Sequence, residues 1–147
     1  MVVVLPLSAQ NSTGYACDDP HFTTVNIHYY VAKGDEGVSL ELGLQGNESN
    51  ISVHGGLTAV MRTVQTKDFE ETTIGGMMYI KAGYRVLRIP GKFSIIPEVI
   101  GNFDMERGPY PSGAIKFLVP MGQSALSLEP IYGKYGAALQ LGFNLII

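Results

Sequence analysis

The chain has 147 residues, a formal net charge of −3, 46% hydrophobic and 16% charged residues, 18 glycines, no tryptophan and one cysteine. The acidic balance offers nucleic acid no basic face, the lone Cys17 excludes an intrachain disulfide framework and a thiolate zinc site, and no apolar run approaches the roughly 18 to 20 residues of a membrane helix. What remains is one domain, too apolar for disorder and too rich in Gly, Val, Ile, Thr and Tyr for a helical bundle.

Met1 to Ala9 reads MVVVLPLSA and is followed by Gln10 and the polar NSTG. An apolar run ending in small residues resembles the end of a secretory signal peptide cleaved after Ala9, although a basic n-region is missing. Residues 1–21 are therefore expected to be a signal-peptide remnant or an N-terminal arm, and residues 22–147 the folded domain. Cys17 follows polar residues rather than an apolar run, so it reads as a free or incidental thiol. His21 with Asp18 and Asp19 forms a polar stretch ahead of the first strand.

From Thr23 the dominant signal has period two, the mark of strands with two unlike faces. The first segment sets Val25, Ile27, Tyr29 and Val31 against Thr24, Asn26, His28 and Tyr30, and the second sets Val38, Leu40, Leu42 and Leu44 against Ser39, Glu41, Gly43 and Gln45. The third opposes Ile51, Val53, Leu57, Ala59 and Met61 to Ser52, His54, Gly56, Thr58 and Arg62. The fourth opposes Ile74, Met78, Ile80, Ala82, Tyr84 and Val86 to Gly75, Met77, Tyr79, Lys81, Gly83 and Arg85. In the fifth, Phe93, Ile95, Pro97, Val99 and Phe103 face away from Ser94, Ile96, Glu98, Ile100 and Asn102, and in the sixth Ile115, Phe117, Val119 and Met121 face away from Ala114, Lys116 and Leu118. The seventh sets Leu126, Leu128, Pro130 and Tyr132 against Ser127, Glu129, Ile131 and Gly133, and the eighth sets Ala137, Leu139, Leu141, Phe143, Leu145 and Ile147 against Ala138, Gln140, Gly142 and Asn144.

The charges give the two faces their meaning. Glu41, Arg62, Lys81, Arg85, Glu98, Lys116 and Glu129 all fall opposite the large apolar residues, whose face carries no mid-strand charge. Eight strands use almost the whole chain and leave no second layer to cover so much apolar surface. The predicted fold is all-β: an eight-stranded antiparallel up-and-down transmembrane β-barrel with a polar, side-chain-filled interior. Its rival is a soluble up-and-down barrel with inverted phases around an apolar ligand cavity.

The connections Gln65 to Thr73 and Asp104 to Ser112 read as long and charged or Pro/Gly-rich, whereas GNESN, IPGK and GQS are short, so long and short links fall on opposite ends, apart from the tight final GKYG. Pro97, Pro120 and Pro130 lie on the apolar face and predict bulges or strand ends. Ile96, Ile100, Leu118 and Ile131 point inward, as a dry belt or as a sign of a phase error.

Inside, the seven charges form a predicted network with Asp104 nearer a rim, because unpaired burial costs several kcal/mol per ion. Glu98 is expected to meet Lys81 or Lys116, and a narrow ion path is the alternative. His28, His54, Tyr30 and Tyr79 share this face as hydrogen-bonding groups, with no convergent ligand set for a metal. No catalytic, cofactor or metal site is predicted. A lipid-modifying enzyme would need a Ser, His and acid set at the outer rim, whereas these histidines face inward.

The last eight residues, QLGFNLII, place Gln140, Gly142, Leu145 and Ile147 in the pattern of the carboxy-terminal signal that closes outer-membrane barrels, with Ile147 where an aromatic is usual. With eight strands upstream, the chain resembles the small outer-membrane barrels of the OmpA transmembrane-domain and OmpX type and the outer-membrane β-barrel domains of Bacteroidota. The resemblance implies the outer membrane of a Gram-negative bacterium, periplasmic termini, no cofactor, and a structural, adhesion or partner-interaction role without porin activity. The implied partners are outer-membrane lipid, the barrel-assembly machinery during insertion, and a protein or surface met through the loops Lys67 to Thr72 and Asp104 to Ser112. The outward aromatics Tyr29, Tyr84, Phe93, Phe103, Phe117, Tyr132 and Phe143 would form interfacial girdles.

Overall fold

A computed structural model of the protein describes residues 21–46, 50–89 and 91–147. The segment read as a signal, Cys17, Asp18 and Asp19, the middle of the GNESN link and Pro90 lie outside the described residues. Nine antiparallel strands follow in order: β1 (His21–Ala32), β2 (Asp35–Gly46), β3 (Ile51–Gln65), β4 (Glu70–Tyr84), β5 (Leu87–Ile89), β6 (Phe93–Asp104), β7 (Gly108–Met121), β8 (Ser124–Gly133) and β9 (Gly136–Ile146). Each long strand pairs with its chain neighbour, β9 returns to β1, and β4 pairs with β6, which closes eight long strands into an up-and-down barrel.

The hand-to-hand register fixes the barrel's shape. Directly paired residues lead from Phe22 through Gln45, Ser52, Gly83, Glu98, Ala114, Ile131 and Ala138 back to β1 at Ala32, ten residues from the start. With eight strands, that stagger tilts each strand by about 40° and gives a radius of about 8 Å, so the interior is only wide enough for side chains. Two-residue turns join Ala32 to Asp35 and Met121 to Ser124. Gly34 (φ 79°) and Gly122 (φ 68°) supply the left-handed backbone that such tight hairpins need.

All eight predicted phases hold. Residues such as Ile80 (67% exposed) and Val99 (69%) point outward, whereas Glu41, Lys81 and Glu129 are buried inside. Ile96, Ile100, Leu118 and Ile131 are buried in phase with their strands, so they mark dry belts and no phase error.

Three expectations about the connections change. The long links are largely strand: β3 and β4 stay paired out to Gln65 and Glu70 around a turn at residues 66–69, and β6 and β7 pair from Asp104 and Gly108 around a turn at 105–107. The IPGK connection is preceded by the extra strand β5, which pairs with the start of β6. Finally, β1 begins at His21, ahead of Thr23, where the alternating pattern opens.

The extra strand has a local cause. Between the pairs Gly83↔Glu98 and Leu87↔Ile95, three residues on the β4–β5 side face two on β6, a one-residue bulge opposite Ile96 and Pro97. Across Pro97 the β6–β7 register runs unbroken, and Pro120, expected on the apolar face, instead shares the inward phase of Lys116 and Leu118 and stands one residue from the end of β7. At Pro130 the β7–β8 ladder loses the rungs opposite Ile115 and Lys116 without shifting register, as the missing proline donor requires.

Inward glycines make room for rings on neighbouring strands. Gly43 sits opposite His54, Gly56 opposite Tyr79 and Gly142 opposite His28. A Cβ at these positions would lie 1.6, 2.4 and 1.7 Å from the facing ring. The narrow lumen accommodates three rings because the strands beside them carry no side chain at those points.

Candidate functional site

The stagger lifts each successive strand by slightly more than one residue along the barrel axis, and this brings groups far apart in sequence to one height. Calling the end with His21 and Ile147 the lower end, that middle level holds His28 of β1, Glu41 of β2, His54 of β3, Lys81 of β4, Glu98 of β6, Lys116 of β7, Glu129 of β8 and Gln140 of β9. Every one of them is buried.

Lys81 is the hub of this ring. Its Nζ donates to Glu129 Oε1 at 2.6 Å and to Gln140 Oε1 at 2.9 Å, and lies 3.1 Å from Glu41 Oε2 and 5.0 Å from the Tyr79 ring centroid. Lys116 Nζ stands 3.2 Å from Glu98, 3.7 Å from Glu41 and 3.8 Å from Glu129. Asn26 donates to Glu41 at 2.6 Å, and Gln140 donates to Ser39, which shares a 2.7 Å hydrogen bond with Thr58. Three carboxylates thus face two ammonium groups. Charges this deep are tolerated only when paired and hydrogen-bonded.

Above the ring lies an apolar layer of Tyr30, Met77, Tyr79, Ile100, Ala114 and Ile131. Below it, Ile96, Leu118 and Ala125 close the side under β6 to β8, and Thr24, Ser52 and Ser127 complete the level. A cavity of about 50 Å³ at the upper end, bordered by Tyr30, Asn102, Tyr110, Ser112 and Gln140, has room for a few water molecules.

A second ionic cluster caps the upper mouth. Arg62 of β3 bonds to Asp104, to Glu106 at 2.7 Å and to Asp35 at 3.4 Å. Arg107 reaches Asp35 at 3.0 Å and lies 4.9 Å from the Tyr135 ring centroid, while Tyr135 packs edge-on against Tyr110. Asp104 Oδ1 accepts the backbone N–H groups of Glu106 and Arg107, which folds the 105–107 turn inward over the mouth.

The single network expected from sequence is therefore two. Glu41, Lys81, Glu98, Lys116 and Glu129 are brought together in the middle, Arg62 belongs to the upper mouth, and Arg85 is buried near the lower end. Glu98 meets Lys116, one of its two expected partners. Asp35, Glu106 and Arg107 were missed. Asp35 shares the inward phase of Ser39 and Glu41, and extending the second segment to it would have found it.

Among the described residues, no group of three or more His, Cys, Asp or Glu side chains could hold a metal, and His28 and His54 stand in the lumen against Gly142 and Gly43. Of the carboxy-terminal motif, Gln140 joins the middle ring, Gly142 pairs with His28 and Ser127, and Leu145 pairs with Val25. Ile147 follows β9 and donates its backbone N–H to Thr23. Family models, curated proteins and solved structures each yield no match to this chain.

Proposed function

We propose that the protein is an integral outer-membrane β-barrel of a Gram-negative bacterium with a structural, adhesion or partner-interaction role, forming no porin-like channel. One observation carries the reading: the barrel is inverted, with its charges buried and its large apolar side chains exposed. On outward strand positions, charge occurs only near the upper end, at Glu36 and Glu70, among the described residues. From Ile51 to Met61 on β3, an outward face free of charge extends for about 25 Å along the axis, the height of the apolar band of membrane barrels. Phe103 and Tyr132 lie above the middle of this band and Tyr84, Phe93 and Phe143 below it, which suits two aromatic girdles, whereas Tyr29, next to His28, lies near mid-height. The two ionic clusters and the apolar layers above and below the middle ring leave the lumen little free space, which favours a plug over a pore.

Flotation with lipid vesicles after a urea or carbonate wash tests the reading. The protein is expected to float with the vesicles and to need detergent for extraction. A compact monomer that stays in solution without detergent would overturn it.

A further inference from the structure

β4 is paired on both sides only from Met77 to Gly83; above that, it pairs with β3 alone. The β3–β4 hairpin continues past the other upper turns by the rungs Thr63↔Thr72, Val64↔Glu71 and Gln65↔Glu70, an overhang of about 10 Å. The last bond across the β4–β6 seam is Met105 N–H to Gly76 C=O at 3.0 Å. Since backbone groups alternate direction along a strand, Ile74, Thr72 and Glu70 turn their N–H and C=O groups toward the same side as Gly76. Among the described residues, nothing pairs with that edge.

An open edge invites strand addition unless side chains guard it. Here Ile74 is 81% and Phe69 is 78% exposed beside it. The tip carries Asp68, Glu70 and Glu71 against Lys67, and it stands above the charge-free band. A second copy would bring the same carboxylates to the edge, so charge complementarity selects a different occupant.

We infer that the outer edge of β4 from Glu70 to Ile74 is a docking site for an extended cationic segment of another protein, which adds to the sheet as an antiparallel strand. The inference deepens the partner-interaction reading and rests on it. Backbone hydrogen bonds to Glu70, Thr72 and Ile74 hold the strand, and lysine or arginine side chains meet Glu70, Glu71 and Asp68.

The test uses the full chain in lipid nanodiscs and an eight-residue peptide of alternating lysine and valine, with the Glu-for-Lys peptide and a backbone N-methylated peptide as controls. The lysine peptide is expected to bind and to slow hydrogen exchange at the Glu70, Thr72 and Ile74 amides. Thr72→Pro removes one edge donor that has no native partner, so it is expected to weaken binding at least tenfold while the barrel keeps its circular dichroism. Glu70→Lys with Glu71→Lys should also weaken it. Equal binding of either control peptide, or full binding to Thr72→Pro, overturns the inference. So does a dimer of the free protein that Thr72→Pro dissolves, which would assign the edge to a second copy. The same binding assay in detergent micelles keeps this outcome separate from vesicle flotation, which bears on the membrane reading alone.

Discussion

The His28 ring lies against the bare backbone of Gly142 on the neighbouring strand: a Cβ at Gly142 would stand 1.7 Å from His28 Cδ2. Although Gly142 faces the lumen, this contact leaves no space there for a side chain. Gly142→Ala is predicted to destabilise the barrel by about 1 to 3 kcal/mol through overpacking. Urea unfolding in vesicles, followed by circular dichroism, measures it. Adding His28→Ala to that variant should restore part of the loss, and no restoration would place the strain elsewhere.

Lys81 answers two carboxylates and Gln140 at once. Lys81→Met is predicted to cost about 3 to 5 kcal/mol, because Glu129 and Glu41 would stay buried without it. Lys116→Met should cost less, since its contacts are longer. A double-mutant cycle on Glu98 and Lys116 should show a coupling of about 0.5 to 3 kcal/mol. Reversal of the order between the two lysines would remove Lys81 as the hub.

Leu42 and Leu141 are exposed near the middle of the outward face. In a bilayer, Leu42→Arg or Leu141→Arg is predicted to cost about 2 to 4 kcal/mol. If water bathed that face, the same changes would alter stability by only about 0.5 kcal/mol. Unfolding free energies in vesicles decide between these values.

In a planar bilayer the purified protein is predicted to show no stable porin-like current, since an ionic cluster caps the upper mouth and apolar side chains flank the middle ring above and below. Large, steady currents from the unmodified chain would refute the filled lumen.

Strand identity and side-chain phase were legible because alternation of period two survives in every segment, even through Pro97 and Pro130. Strand ends were not. Residues such as Glu70, Thr72 and Pro109 look like loop residues, yet they belong to strands that continue to the upper end, where the contrast between a charged inward face and an apolar outward face fades. The β4–β5 bulge was hidden because one inserted residue leaves no compositional trace. The grouping of charges was hidden for a geometric reason. Whether Arg62 joins Lys81 or Asp104 depends on height along the axis, which is set by the stagger summed around the whole barrel and by no single segment. The ring and glycine pairs, such as His54 with Gly43, likewise need the register between strands.

The middle ring draws one member from each long strand, and its hydrogen bonds join partners such as Lys81 and Gln140, 59 residues apart, and Gln140 and Ser39, 101 apart. No hairpin joins these partners, which come from strands that are not neighbours in the chain. Glu98 and Lys116 already meet within the β6–β7 hairpin, but Lys81 on β4 reaches Glu129 on β8 only once the sheet has curved so far that opposite walls face each other across the lumen. Part of the ion pairing is therefore local and part reports on the curved sheet, so opening the wall should release the Lys81 contacts before the Glu98–Lys116 pair.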